Sequence, residues 1–165
     1  MEQVLLDTNF VSVLFDQRRP NFAAVKACAQ NFASTDLVYL SVVVLAELRY
    51  GLEAAQRAGQ DVTHIRQTLA EAANYPLAEV GRHTAEAYGE VKARLAEHYL
   101  DLSRRPPRWL ENWQDRVSAQ TLQVDENDLW IVAQAIERDY LLVTSDQRLA
   151  DRFRPAIAEL RLLVV

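Results

Sequence analysis

The chain has 165 residues, 50% of them hydrophobic and 25% charged, with four Gly, five Pro and one Cys. At roughly 100 to 200 residues per domain this is one globular unit with enough chain to bury a core unaided, which excludes disordered, collagen-like and disulfide-stapled classes. Eighteen Lys plus Arg against 23 Asp plus Glu give a formal charge of −5, so no global attraction draws it to a polyanion, and any such contact must be local or carried by metal ions.

Residues 3 to 6 carry Val4, Leu5 and Leu6 and run into Asp7-Thr8-Asn9, a polar triplet that ends a strand and caps a helix. Residues 10 to 15 and 21 to 32 have helical spacing, the second stretch behind Pro20. Residues 37 to 40 form a short strand. Ser41 then caps a helix with Val44, Leu45, Leu48, Leu52 and Ala55 on one stripe and Gly59 at its end. A helix over 61 to 74, a strand over 77 to 80 behind Pro76, and a long helix over 84 to 100 follow, the last with Ala87, Tyr88, Val91, Leu95 and Tyr99 on one face. Residues 103 to 124 break the alternation with Arg104, Arg105, Pro106, Pro107, Arg108, Trp109 and Trp113, and read as a surface excursion. Helices over 127 to 138 and 147 to 153 and strands over 140 to 144 and 160 to 165 complete the chain.

Short apolar strands separated by helices predict an α/β fold in a single domain over residues 1 to 165: a small parallel sheet of about five strands with helices on both faces. The helices around 21 to 33, 41 to 58 and 84 to 100 carry more apolar positions than so small a sheet covers, which predicts leftover surface for subunit contacts. Cys28 stands alone, so neither an internal disulfide nor a cysteine-based zinc site forms, and a reducing, cytoplasmic setting is expected. The start around Glu2 and Gln3 lacks a signal-peptide pattern, and no stretch approaches the roughly 18 apolar residues of a membrane span.

In open α/β sheets, sites lie beyond the carboxyl ends of the strands. Asp7 follows the first strand directly, Asp146 follows Thr144 within two residues, and Asp128 opens the helix holding Leu129 to Ile136. Glu47 lies one residue off the apolar stripe of its helix, on the side that can face the first strand. Each acid alone has an ordinary use as a helix cap, a dipole partner or an ion-pair partner of Arg49 or Arg57. Four converging acids would repel one another and raise their pKa values unless a cation lay between them. An all-oxygen set without a companion His or Cys suits Mg²⁺ or Mn²⁺.

The segments Val-Leu-Leu-Asp7-Thr8-Asn9, Ser41 to Gly51 around Ala-Glu47-Leu, Asn127-Asp128-Leu-Trp-Ile-Val-Ala-Gln-Ala and Leu-Leu-Val-Thr144-Ser145-Asp146 resemble, in order, the four signatures of PIN-domain ribonucleases. Within that family the pattern is most similar to VapC-type toxins of toxin–antitoxin pairs. The resemblance implies a Mg²⁺- or Mn²⁺-dependent endoribonuclease, a homodimer, and a small antitoxin protein as partner. It maps Asp7, Glu47, Asp128 and Asp146 onto the acidic metal centre, with Thr8, Asn9, Ser41 and Thr144 as supporting polar groups; Asp125 is an alternative for the third acid. Under that reading Arg104, Arg105, Arg108 and Trp109 grip RNA through phosphates and stacking, whereas the plainer reading packs Trp109 and Trp113 on the core under solvated arginines. An aspartyl-nucleophile phosphatase would also place an Asp after the first strand, but Asn9 stands where its second Asp belongs. A non-catalytic PIN-like binding module is the remaining alternative.

Overall fold

The computed structural model describes residues 1–165. The chain runs β1 (Gln3–Leu6), α1 (Thr8–Leu14), α2 (Phe22–Gln30), β2 (Leu37–Ser41), α3 (Val42–Arg57), α4 (Thr63–Ala72), β3 (Leu77–Ala78), α5 (Arg82–Tyr99), a single 3₁₀ turn at Leu110–Asn112, α6 (Glu126–Arg138), β4 (Leu141–Thr144), α7 (Gln147–Phe153) and β5 (Leu162–Val164). All strand pairs are parallel, in the order β3-β2-β1-β4-β5. This is the α/β architecture that the alternation of short apolar strands and helices predicts.

Val4, Leu5 and Leu6 are all buried, because β1 is the central strand and is covered on both faces. Right-handed crossovers from β1 to β2 to β3 place α1 to α4 over one face, and those from β3 to β4 to β5 place α5 to α7 over the other. The two directions of winding part between β1 and β4, which opens a crevice at the carboxyl ends of those two strands.

Local signals fix most boundaries. Ser41 caps α3, its Oγ accepting from the Val43 N–H at 3.0 Å. The helix expected over 61 to 74 is shorter because Asp61 turns back instead, accepting from the Thr63 N–H at 2.9 Å ahead of the first turn. β3 and β5 are shorter than their apolar runs suggest. Both are edge strands with one neighbour, so their length is set by register, from Leu40↔Leu77 to Ser41↔Ala78 and from Leu142↔Leu162 to Thr144↔Val164.

One expectation requires correction. The 103 to 124 segment is more than a surface excursion, since Leu110, Trp113, Leu122 and Val124 lie in the core. It is closed by an antiparallel bridge between Gln114 and Thr121, and the Arg152 Nε donates to the Leu122 carbonyl at 3.1 Å. Of the large apolar side chains on the helices only Tyr50 stands well exposed, while Ala24, Ala27 and Cys28 of α2 line a mainly apolar cleft.

One buried polar side chain ties α6 to both β2 and β3. Gln134, in the middle of α6, accepts from the Ser41 hydroxyl at 2.6 Å and donates to the Ala78 carbonyl at 2.8 Å, with no exposure of its own. Gln134→Leu keeps the volume and strips both partners, each costing about 1–3 kcal/mol. We expect a drop in thermal midpoint of roughly 5–10 °C by calorimetry; an unchanged midpoint would show that the pair is dispensable.

Candidate active site

The crevice between β1 and β4 gathers the acids. Asp7 leaves β1 with 1% exposure, pinned by its own N–H, which donates to the Val143 carbonyl at 3.0 Å. One side-chain oxygen, Oδ2, accepts from the Thr144 hydroxyl at 2.7 Å. The other, Oδ1, is buried with no hydrogen-bond partner. Burial drives the Asp7 pKa up, opposed by Thr144 and by the nearby N–H groups of Thr8 and Asn9, with the Glu47 charge adding to the rise. Asp7 stands at the N-cap position of α1 but makes no side-chain cap. The ordinary use as a cap therefore does not account for it.

The other three acids are each held differently. Glu47, projecting from α3, accepts from the Thr8 hydroxyl and, at 3.0 Å, from the Asn127 amide. It forms no ion pair with Arg49 or Arg57; Arg57 pairs with Glu53. Asp128 accepts from the Asp125 N–H at 3.1 Å, while Asp125 accepts from the N–H groups of Asn127 and Asp128. The two thus share a capping box, but in separate roles: Asp125 is exposed at the helix start and Asp128 faces inward. Burial, then repulsion from Asp125, Asp7 and Asp146, pushes the Asp128 carboxyl up to about 7. Asp146 caps α7 through the Arg148 N–H at 2.9 Å and pairs with the Arg148 guanidinium at 3.0 Å. Burial works to raise its pKa, but the hydrogen bonds and charge of Arg148 outweigh it and hold the carboxyl below the usual range.

Of the supporting polar groups, Thr8 reaches Glu47, Thr144 reaches Asp7, and Asn9 makes a long 3.5 Å contact with Asp146. Ser41 does not belong with them. It lies level with Asp7 on the neighbouring strand, yet its hydroxyl is committed to Gln134 and to capping α3, and it touches none of the acids. Asn127 and Arg148 are the contacts that sequence reasoning missed. Arg148, two residues past Asp146, is a spacing from which a cap-and-pair contact could have been read; Asn127 shows no signal beyond its place beside Asp128.

Open clefts flank the acids on two sides. One of about 440 Å³ is lined by Val43, Ala46, Glu47, Tyr50 and Asn127, and another of about 250 Å³ includes Asn9, Ser12, Arg19, Asp146 and Arg148. A further cleft of about 620 Å³, between α2 and the β4–β5 side of the sheet, is mainly apolar and shares no residue with the acids. As the side chains stand, no three acidic, His or Cys groups converge closely enough to enclose an ion. The donor chemistry fits a hard cation in two respects: every donor is oxygen, and the buried Asp7 Oδ1 lacks any other partner.

A model of the PIN domain matches residues 4–153 of the sequence. The chain belongs to the PIN domain family. No curated protein matches the chain. Among solved structures it is similar to VapBC2 from Rickettsia felis, bound to a promoter DNA fragment, at 18% identity and a TM-score of 0.66 over 99% of this chain and 98% of that one. It is similar to VapBC-5 of the Mycobacterium tuberculosis toxin–antitoxin systems at 24% identity and a TM-score of 0.62, with both chains fully covered. VapC20 of the same organism, a toxin that cleaves the sarcin–ricin loop, aligns at 14% identity and a TM-score of 0.53 over 90% and 93% of the two chains. These likenesses extend the PIN architecture over essentially the whole chain. No helix is long and apolar enough to cross a membrane.

The raised Asp128 carboxyl gives this PIN domain a pH signature. Its folded pKa of about 7 lies above the ordinary 3.8, so the metal-free fold holds a proton that the unfolded chain gives up. That contribution is complete below about pH 4 and is lost as pH rises through about 7. In chelator, the fold should be more stable at pH 5.5 than at pH 8.5 by on the order of 2 kcal/mol, read as a higher melting temperature at the lower pH. Asp128→Asn should remove most of that difference. Equal pH dependence in both proteins would show that Asp128 is not strained by its neighbours.

Proposed function

We propose that this PIN domain is a Mg²⁺- or Mn²⁺-dependent endoribonuclease and the toxin of a toxin–antitoxin pair. The observation that carries the reading is the bare, buried Oδ1 of Asp7 beside an Asp128 whose carboxyl is pushed up to about 7. A pair of under-neutralised carboxylates at the end of a central strand is a place built for positive charge. Family membership supports the reading, as does likeness to a toxin that cleaves the sarcin–ricin loop and to VapBC toxin–antitoxin structures.

Asp7 and Asp128 are the direct ligands in this proposal. A divalent ion bound there supplies a lowered pKa for an attacking water and neutralises charge on the leaving oxygen. Thr144 holds Oδ2 of Asp7 and leaves Oδ1 without a protein partner, so Oδ1 would be the oxygen to hold the cation. Glu47, steadied by Thr8 and Asn127, accepts a proton from the attacking water or binds through a water. Asp146 already satisfies its oxygens on Arg148 and suits an outer or second position. None of the four acids has a Ser, Cys or His nucleophile as partner, so attack by water is the simpler course.

The test is cleavage of structured RNA by the purified chain. Asp7→Asn or excess chelator should abolish the products, and Mg²⁺ or Mn²⁺ should raise the melting temperature by binding only the native state. Cleavage that persists undiminished in chelator would sink the metal mechanism.

The same proposal makes the chain a homodimer that binds a small antitoxin over its acidic edge. A basic residue of that partner, arginine above all, would pair bidentately with the carboxylates and displace the cation. Light scattering should return twice the mass of 18.8 kDa, and the co-expressed antitoxin should suppress cleavage. A monomer at high concentration defeats the first statement, and a tight complex that still cleaves RNA defeats the second.

A further inference from the structure

Without a cation the four acids repel the phosphates of any RNA brought to them, so affinity not supplied by metal has to come from elsewhere on the surface. The 103 to 124 segment offers such a place. Arg104, Arg105 and Arg108 are exposed, and none of them forms an ion pair, in a chain whose formal charge is −5. Between the third arginine and a buried Leu110 stands Trp109, 54% exposed, with the Arg108 guanidinium 4.8 Å from its ring centre. The two tryptophans therefore divide. Trp113, 2% exposed, anchors the loop and donates from Nε1 to the Pro107 carbonyl at 2.9 Å, which fixes the chain just before Arg108.

The base of this platform packs against the first turn of α6, which also carries Asp128. The Leu110 N–H is close enough to favour the Glu126 carboxylate, and Lys92 bridges Glu126, at 2.6 Å, to the face of Trp113, at 6.0 Å. Glu126 opens α6 two residues before Asp128. An exposed indole under a guanidinium, surrounded by unpaired arginines, matches an unpaired base with flanking phosphates. Duplex bases are stacked internally and present no face to it.

We propose that Trp109 and Arg108, with Arg104 and Arg105, form the platform on which a single-stranded stretch of the RNA substrate stacks. This rests on the endoribonuclease reading. The probe is a fluorescent single-stranded RNA 12-mer and the same sequence closed into a duplex, titrated with the Asp7→Asn protein in chelator so that the RNA survives. Trp109→Ala should weaken single-strand binding about 5- to 100-fold, and Trp109→Phe should restore most of it. Replacing all three arginines by Ala should flatten the salt dependence, lowering the slope of log affinity against log salt by about 2. RNA should quench the tryptophan emission of the parent and leave that of Trp109→Phe unchanged.

Unchanged single-strand affinity in Trp109→Ala overturns the proposal, and so does an equal loss on the duplex. Normal RNA binding with loss of a co-expressed partner protein assigns the surface to that partner and overturns it too. If the unsubstituted chain binds through Trp109 yet never cleaves with Mg²⁺ or Mn²⁺, the nuclease reading fails and the platform stands. If it cleaves and Trp109→Ala changes nothing, the platform fails alone.

Discussion

Asp7 sits at the end of the central strand, where its backbone is locked to β4 and its carboxylate has nowhere to go but inward. An ionised carboxylate in that position keeps one hydroxyl partner and one bare oxygen, an arrangement costing several kcal/mol unless something positive arrives. Shifting β1 by one residue would free the acid but would turn Val4, Leu5 and Leu6 out of register with both neighbours. The apolar pairing of the sheet thus enforces the electrostatic strain of the site. Two reliefs remain, a proton or a cation, and pH chooses between them.

The neighbouring acids are neutralised unequally, and the inequality gives the crevice direction. Asp146 is met by a full positive charge from Arg148. Glu47 is met by neutral donors, a hydroxyl and an amide, which orient it without cancelling its charge. Asp128 receives a single N–H from Asp125, itself an acid that adds to the repulsion. Negative potential therefore concentrates between Asp7 and Asp128 and fades towards Asp146. Under the proposed metal mechanism, the Asp7–Asp128 end would be the favoured place for a cation.

The fold was legible because it rests on local signals. Alternating strands and helices, the Ser41 cap and the polar triplet after β1 each declare an element, and Asp7 and Asp146 follow strands whose ends can be read directly. Glu47 was legible from its offset of one residue from the apolar stripe of α3. What stayed hidden depends on partners distant in sequence. The lengths of β3 and β5 are set by register with a single neighbour, the Ser41 hydroxyl is claimed by Gln134 of α6, far along the chain, and the burial of Trp113 against the exposure of Trp109 depends on a loop that closes on Pro107. Spacing alone treats two tryptophans four residues apart as equivalent; the core admits one of them.

The first turn of α6 is where these constraints meet. Successive residues on a helix are rotated by about 100°, so three in a row face three ways. Glu126 points to α5, where Lys92 and the Tyr88 hydroxyl hold it and Trp130 stacks on Tyr88 at 4.1 Å. Asn127 points to Glu47 on α3, and Asp128 points into the crevice. Because one rigid turn carries all three, the Lys92–Glu126 pair on α5 fixes where Asp128 stands although Lys92 touches none of the four acids. Lys92 also faces Trp113, so the loop bearing Trp109 is referenced to the same turn. The acid and the loop are thus both positioned by the same packing of α5 on the start of α6.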